Sequence, residues 1–164
     1  MSVTDERAAL EQALRADSRN ASLHYLLGAE LAQAREYDAA VSEMRQAIEI
    51  DPALHTARFQ LGLLHLTMAH PDLSLEVWGP LEAQPDVALR SFKQGLEALI
   101  RNDFPLCLEH LEAGIHANDR NAPLNRDMAM MAAKVREHLA QEPPQPAGQK
   151  VVRTDFSLYE QTRR

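Results

Sequence analysis

Apolar residues return every three to four positions along most of this chain, and turn residues break the rhythm at regular intervals. The pattern has a longer period as well. Gly28, Gly62 and Gly95 lie 34 and 33 residues apart, and each follows an aromatic residue by three: Tyr25, Phe59 and Phe92. Set in register on those glycines, segments 21–54, 55–87 and 88–121 each predict two helices around a turn, at AREYD, MAHPD and RNDFP. The second helices end at Asp51-Pro52, Pro85-Asp86 and Asn118-Asp119. Residues 4–17 read as a lone second helix. Residues 122–141 read as a final helix with Leu124, Met128, Met131, Val135 and Leu139 on one stripe.

The segment from Ala21 resembles a tetratricopeptide (TPR) repeat. Leu27 and Gly28 fall at that family's paired positions in the first helix. Tyr37 and Asp38 open the second helix, Ala40 and Ala47 occupy its two small-residue positions, and Pro52 closes the unit. The physics agrees. Small residues sit where helices approach closely, and a proline both lacks a donor and restricts Asp51 before it. The second repeat keeps Gly62, places Ser74 at the small position and Trp78 at a large one, and is interrupted at Gly79-Pro80, which predicts a kink or break. The third uses Gly95, Cys107 and Gly114, with Pro105 in the first turn of its second helix, where proline is tolerated. The resemblance implies an all-α fold: a TPR-like right-handed solenoid of antiparallel helix pairs over 1–141, with an N-terminal half-repeat and a C-terminal capping helix at 122–141.

In the family, the first helix of each repeat lines a concave surface. The resemblance puts Ser22, Tyr25, Ala29, Ala32 and Gln33 there, then Thr56, Phe59, Leu63, Leu66 and Thr67, then Leu89, Phe92, Leu96, Leu99 and Ile100, with Lys93 the nearby cation. This surface is apolar in the second and third repeats. One reading is a groove for an amphipathic helix or extended peptide; the other is that the final helix or a neighbouring one buries it. The Lys–Asn–Arg clamp with which some TPR proteins grip acidic chaperone C-termini is not present, since Tyr25, Ala29 and Phe59 occupy its places.

Composition sharpens the partner class. Aromatic residues make up 5% of the 164, while Ala and Leu are prominent, which favours helix. Net charge is -7, and residues 150–164 alone carry +2, leaving -9 on the rest. An acidic body speaks against nucleic acid or an anionic membrane as partner. No apolar run approaches the roughly 18 residues of a membrane span. The acidic, amphipathic start is unlike a signal peptide, so the simplest expected location is cytoplasmic.

Residues 142–149 form a Pro-rich linker able to reach on the order of 25–30 Å. After it comes KVVRTDFSLYEQTRR, in which Phe156, Leu158 and Tyr159 are candidate anchors and Arg153 a candidate partner for the acidic body. Three readings stay open: an unstructured tail, docking on this chain in cis or trans, or a motif for another protein.

Chemistry is sparse. There is no H-E-x-x-H, P-loop, G-x-S-x-G or cysteine pair. His65 and His70 are five apart with His70 in a turn, and His110 and His116 are six apart, about 240° around a helix. His24 and His65 fall at packing positions and are expected half-buried. Cys107, at a small position, is expected to be a packed thiol. No metal, cofactor or catalytic residue is assigned. The expected function is a non-catalytic protein–protein interaction adaptor or scaffold, with possible self-association through 150–164. The alternative is a chaperone similar in outline to the TPR-type chaperones of type III secretion.

Overall fold

The computed structural model describes residues 3–141. Among them lie eight α-helices, one 3-10 helix and no strand. They are α1 (Val3–Ala16), α2 (Ala21–Gln33), α3 (Tyr37–Ile50), α4 (His55–Thr67), α5 (Pro71–Trp78), the 3-10 helix Gly79–Ala83, α6 (Val87–Ile100), α7 (Phe104–Ala117) and α8 (Ala122–Gln141). The chain divides into two compact units between Trp78 and Gly79. The first holds α1–α5 and the second holds the 3-10 helix and α6–α8.

Three tight turns pair α2 with α3, α4 with α5, and α6 with α7. The turns share one geometry. Arg35, Ala69 and Asn102 take left-handed backbone, with φ of 62°, 59° and 57°. One residue later, the backbone N–H of Glu36, His70 and Asp103 reaches back to the carbonyls of Leu31, His65 and Ala98, at 2.9, 2.9 and 2.8 Å. This is the Schellman arrangement, which satisfies carbonyls a helix end leaves open. Glycine is the residue such a site ordinarily selects, and none of the three is glycine. Exchanging Ala69 for glycine is therefore expected to raise stability by about 0.5–1 kcal/mol, the relieved strain exceeding the added freedom of the unfolded chain. Urea unfolding of the variant checks this.

Inside each hairpin the first-helix glycine meets the second helix. A Cβ on Gly28 would lie 2.8 Å from Met44 Cγ and 3.3 Å from the Ala40 carbonyl oxygen. On Gly95 it would lie 2.9 Å from Leu111 Cδ2 and 3.2 Å from the Cys107 carbonyl oxygen, and on Gly62 it would overlap the Trp78 indole. Met44, Trp78 and Leu111 are thus three different lids over one repeated position, and they too are 34 and 33 residues apart.

In the first unit, Leu27, Leu31 and Ala32 of α2, Ala40 and Met44 of α3, and Leu61 and Leu64 of α4 form one core. Leu10 and Leu14 of α1 and Val77 of α5 flank it. The Asn20 side chain caps α2 by accepting from the Leu23 N–H at 3.2 Å. Two side chains fasten α5 to α4. Ser74 Oγ donates to the Gly62 carbonyl at 2.9 Å, and Trp78 Nε1 donates to the Phe59 carbonyl at 3.0 Å.

The α-helix stops at Trp78 and continues as a 3-10 turn, where the sequence predicts a kink or break. Pro80 has no N–H to give to a preceding turn, and in a continued α-helix its ring would clash with the carbonyl four residues back. In the second unit, Asp86 caps α6 by accepting from the Leu89 N–H at 3.0 Å. Phe92 lies against Gly114 of α7. Leu124, Met128, Met131, Ala132 and Val135 bury one stripe of α8. An asparagine cluster fixes the α7–α8 turn: Asn118 Nδ2 donates to Asn125 Oδ1 at 2.8 Å, and Asn125 Nδ2 returns to the Asn118 carbonyl at 2.8 Å.

Candidate functional site

The expected binding row runs along α2, α4 and α6. On α4, Phe59, Leu63 and Leu66 are buried. On α6, Leu89, Phe92, Lys93, Leu96 and Leu99 are buried, while Ile100 is half-buried. Phe59 and Phe92 are both 0% exposed. Their rings turn to their own hairpins. Phe59 stacks on Trp78 with centroids 6.0 Å apart and planes at 24°, and Phe92 covers Gly114. A position number in the first helix puts a residue on a face; the gap left by a small residue in the second helix decides what fills it. Gly114 leaves such a gap for Phe92.

Lys93, the single cation expected near the row, is 4% exposed. Its ammonium sits 2.5 Å from Glu82 and 3.0 Å from Glu97. Burial alone lowers the pKa of such an ammonium, but the hydrogen bonds it donates to the two carboxylates, with their negative charge, outweigh it and leave the lysine above its ordinary value. The same bond holds Glu82 below the usual carboxylate range. With Arg90 Nη1 donating to the Gln84 carbonyl at 2.5 Å, this pair clasps the segment after the break onto α6. Lys93 is thus engaged in holding its own unit.

The row is most open on α2. Ser22 and Gln33 are exposed, Tyr25 and Ala29 half-buried, and Leu26, which the row did not include, is 46% exposed. Burial raises the pKa of the Tyr25 phenol, keeping it neutral. These side chains offer an aromatic ring and an aliphatic one on adjacent positions of one helix.

Two histidines differ from the half-buried state expected of them. Both are buried, with opposite surroundings. His24 Nδ1 lies 2.6 Å from Glu43 Oε2, and its Nε2 lies 3.1 Å from the Ser18 carbonyl. Both partners are acceptors, so the ring makes both bonds only when each nitrogen carries a proton. The His24–Glu43 bond joins the two helices of the first hairpin. His65 has no hydrogen-bond partner on either ring nitrogen. No sequence signal marks that.

Cys107 is buried, and burial together with Asp103 pushes its thiol up to about 12. Among the described residues no three His, Cys, Asp or Glu side chains gather to hold a metal ion. None of their helices is long and apolar enough to cross a membrane. The linker 142–149 and the tail motif Arg153, Phe156, Leu158 and Tyr159 lie outside the described residues. Compared with known proteins, the chain matches no family model and no curated protein.

Proposed function

We propose that this chain is a non-catalytic protein-interaction module, in which the hairpins stack as a TPR-like right-handed solenoid with α1 as half-repeat and α8 as cap. One observation carries the reading: three hairpins share a left-handed turn and a glycine under a lid at the same intervals of 34 and 33 residues. Units of this kind bury their faces by stacking on neighbours, and the surfaces they leave suit extended or helical partners. The Tyr25–Leu26–Ala29 face of α2, where the row is most open, is the anchor point for a partner. A basic segment with apolar anchors matches an acidic body, and residues 150–164 of this chain are the first such segment to try.

The test is calorimetric titration of a synthetic 150–164 peptide into the full chain and into a chain ending at Gln141. Binding to the shorter chain, weaker binding to the full one and about tenfold loss on Tyr25→Ala support docking of the chain's own segment at α2. Absence of heat with both chains removes that segment as the ligand. Binding that Tyr25→Ala leaves unchanged removes α2 as the site.

A further inference from the structure

We propose that His65 is an acid trigger: protonation of its ring, buried without a partner where α4 meets α5, opens the first unit. His65 is 3% exposed, and neither Nδ1 nor Nε2 has a hydrogen-bond partner. Leaving a buried polar group unpaired costs stability that a leucine of similar size would not, so the position carries a standing penalty. Protonation enlarges the penalty, because a charge replaces a dipole in a site that offers it no acceptor.

The charged groups around the ring reinforce this. Of the elements packed on α4, α3 presents Arg45, and α5 presents Glu76; the intervening turn presents His70. Arg45 and a protonated His70 oppose a second positive charge, and only Glu76 favours it. Burial, the largest influence, and then Arg45 and His70 lower the pKa of His65 against Glu76. The sign follows. A histidine whose pKa is lower folded than unfolded contributes stability above the unfolded value, and that stability is lost as pH falls through the unfolded value toward the folded one. Acidification from about pH 7 to about pH 5 spans the start of that loss.

The place matters as much as the charge. The His65 carbonyl receives the N–H of His70 at 2.9 Å, so this residue closes the α4–α5 turn with its backbone while its ring sits in the interior. Opening there uncovers Leu61, Leu64 and Trp78 together.

The experiment compares the full chain with His65→Leu and His65→Gln by urea unfolding at about pH 7 and about pH 5, read by circular dichroism. The expected result is a fall in the wild-type midpoint on acidification that both variants lose, with His65→Leu the more stable at either pH. A fall of the same size in both variants overturns the proposal. Should the variants not fold, proton NMR of the wild-type ring decides. The His65 ring is expected to stay neutral while the unit is folded, its native signal disappearing as the unit opens. A His65 signal that titrates within an intact fold overturns it as well.

Discussion

Phe92→Ala is expected to cost the second unit about 3–5 kcal/mol, the largest loss from any single truncation in that unit. The ring is fully buried and fills the space that Gly114 leaves on α7. Glycine has no side chain with which to collapse into the vacated volume, so the cavity persists, and its cost adds to the lost transfer energy. Against a total stability of about 5–15 kcal/mol for a small protein, that is a substantial fraction. Urea unfolding of the variant measures it. A loss under about 1 kcal/mol would mean that the ring faces outward and that the concave position implied by the family resemblance describes it better. Phe92→Ala is for the same reason a poor probe of binding, because it removes packing first; Tyr25→Ala is the cleaner one.

Gly62→Ala is expected to cost about 2–3 kcal/mol, whereas Gly28→Ala is expected to change stability by less than about 1 kcal/mol, although both occupy the same repeat position. Alanine gains about 1 kcal/mol over glycine in a helix interior. What opposes the gain differs. At Gly28 the obstacle is mainly Met44, an unbranched side chain that adapts to irregular space. At Gly62 it is the Trp78 ring, buried, stacked on Phe59 and held by its bond to the Phe59 carbonyl. Gly95→Ala belongs between them, because the branched Leu111 adapts less readily than the unbranched Met44 and more readily than the pinned Trp78 ring. Parallel urea melts of the three variants check the order. Equal losses at all three would show that the lids do not set the cost.

The helical hairpins were legible in the sequence because their cause is local. A glycine under a bulky lid and a turn three residues long each leave a mark at a fixed interval, and Pro52 and Pro85 mark the ends of the first two units. The break after Trp78 was legible for a similar reason: Pro80 cannot donate to the preceding turn whatever surrounds it. The binding row was less legible. Its positions come from helix numbering, which does not say what covers each residue. Phe59 and Phe92 are taken up by their own hairpins, and Lys93 by Glu82 and Glu97. Leu26, outside the expected row, is the more exposed. The unpaired state of His65 had no local cause at all: it depends on what α3 and α5 fail to offer.

Trp78 is the chain's single tryptophan, and its position makes it an optical reporter. Its indole is fully buried, stacked on Phe59 and donating to a backbone carbonyl, so its fluorescence emission belongs to one place, the contact of α4 with α5. Release of that contact puts the ring in water and shifts its emission to longer wavelength, while the circular dichroism signal averages over every helix. Wherever the two signals part company during unfolding, the difference gives the stability of this one hairpin without a label or a second mutation.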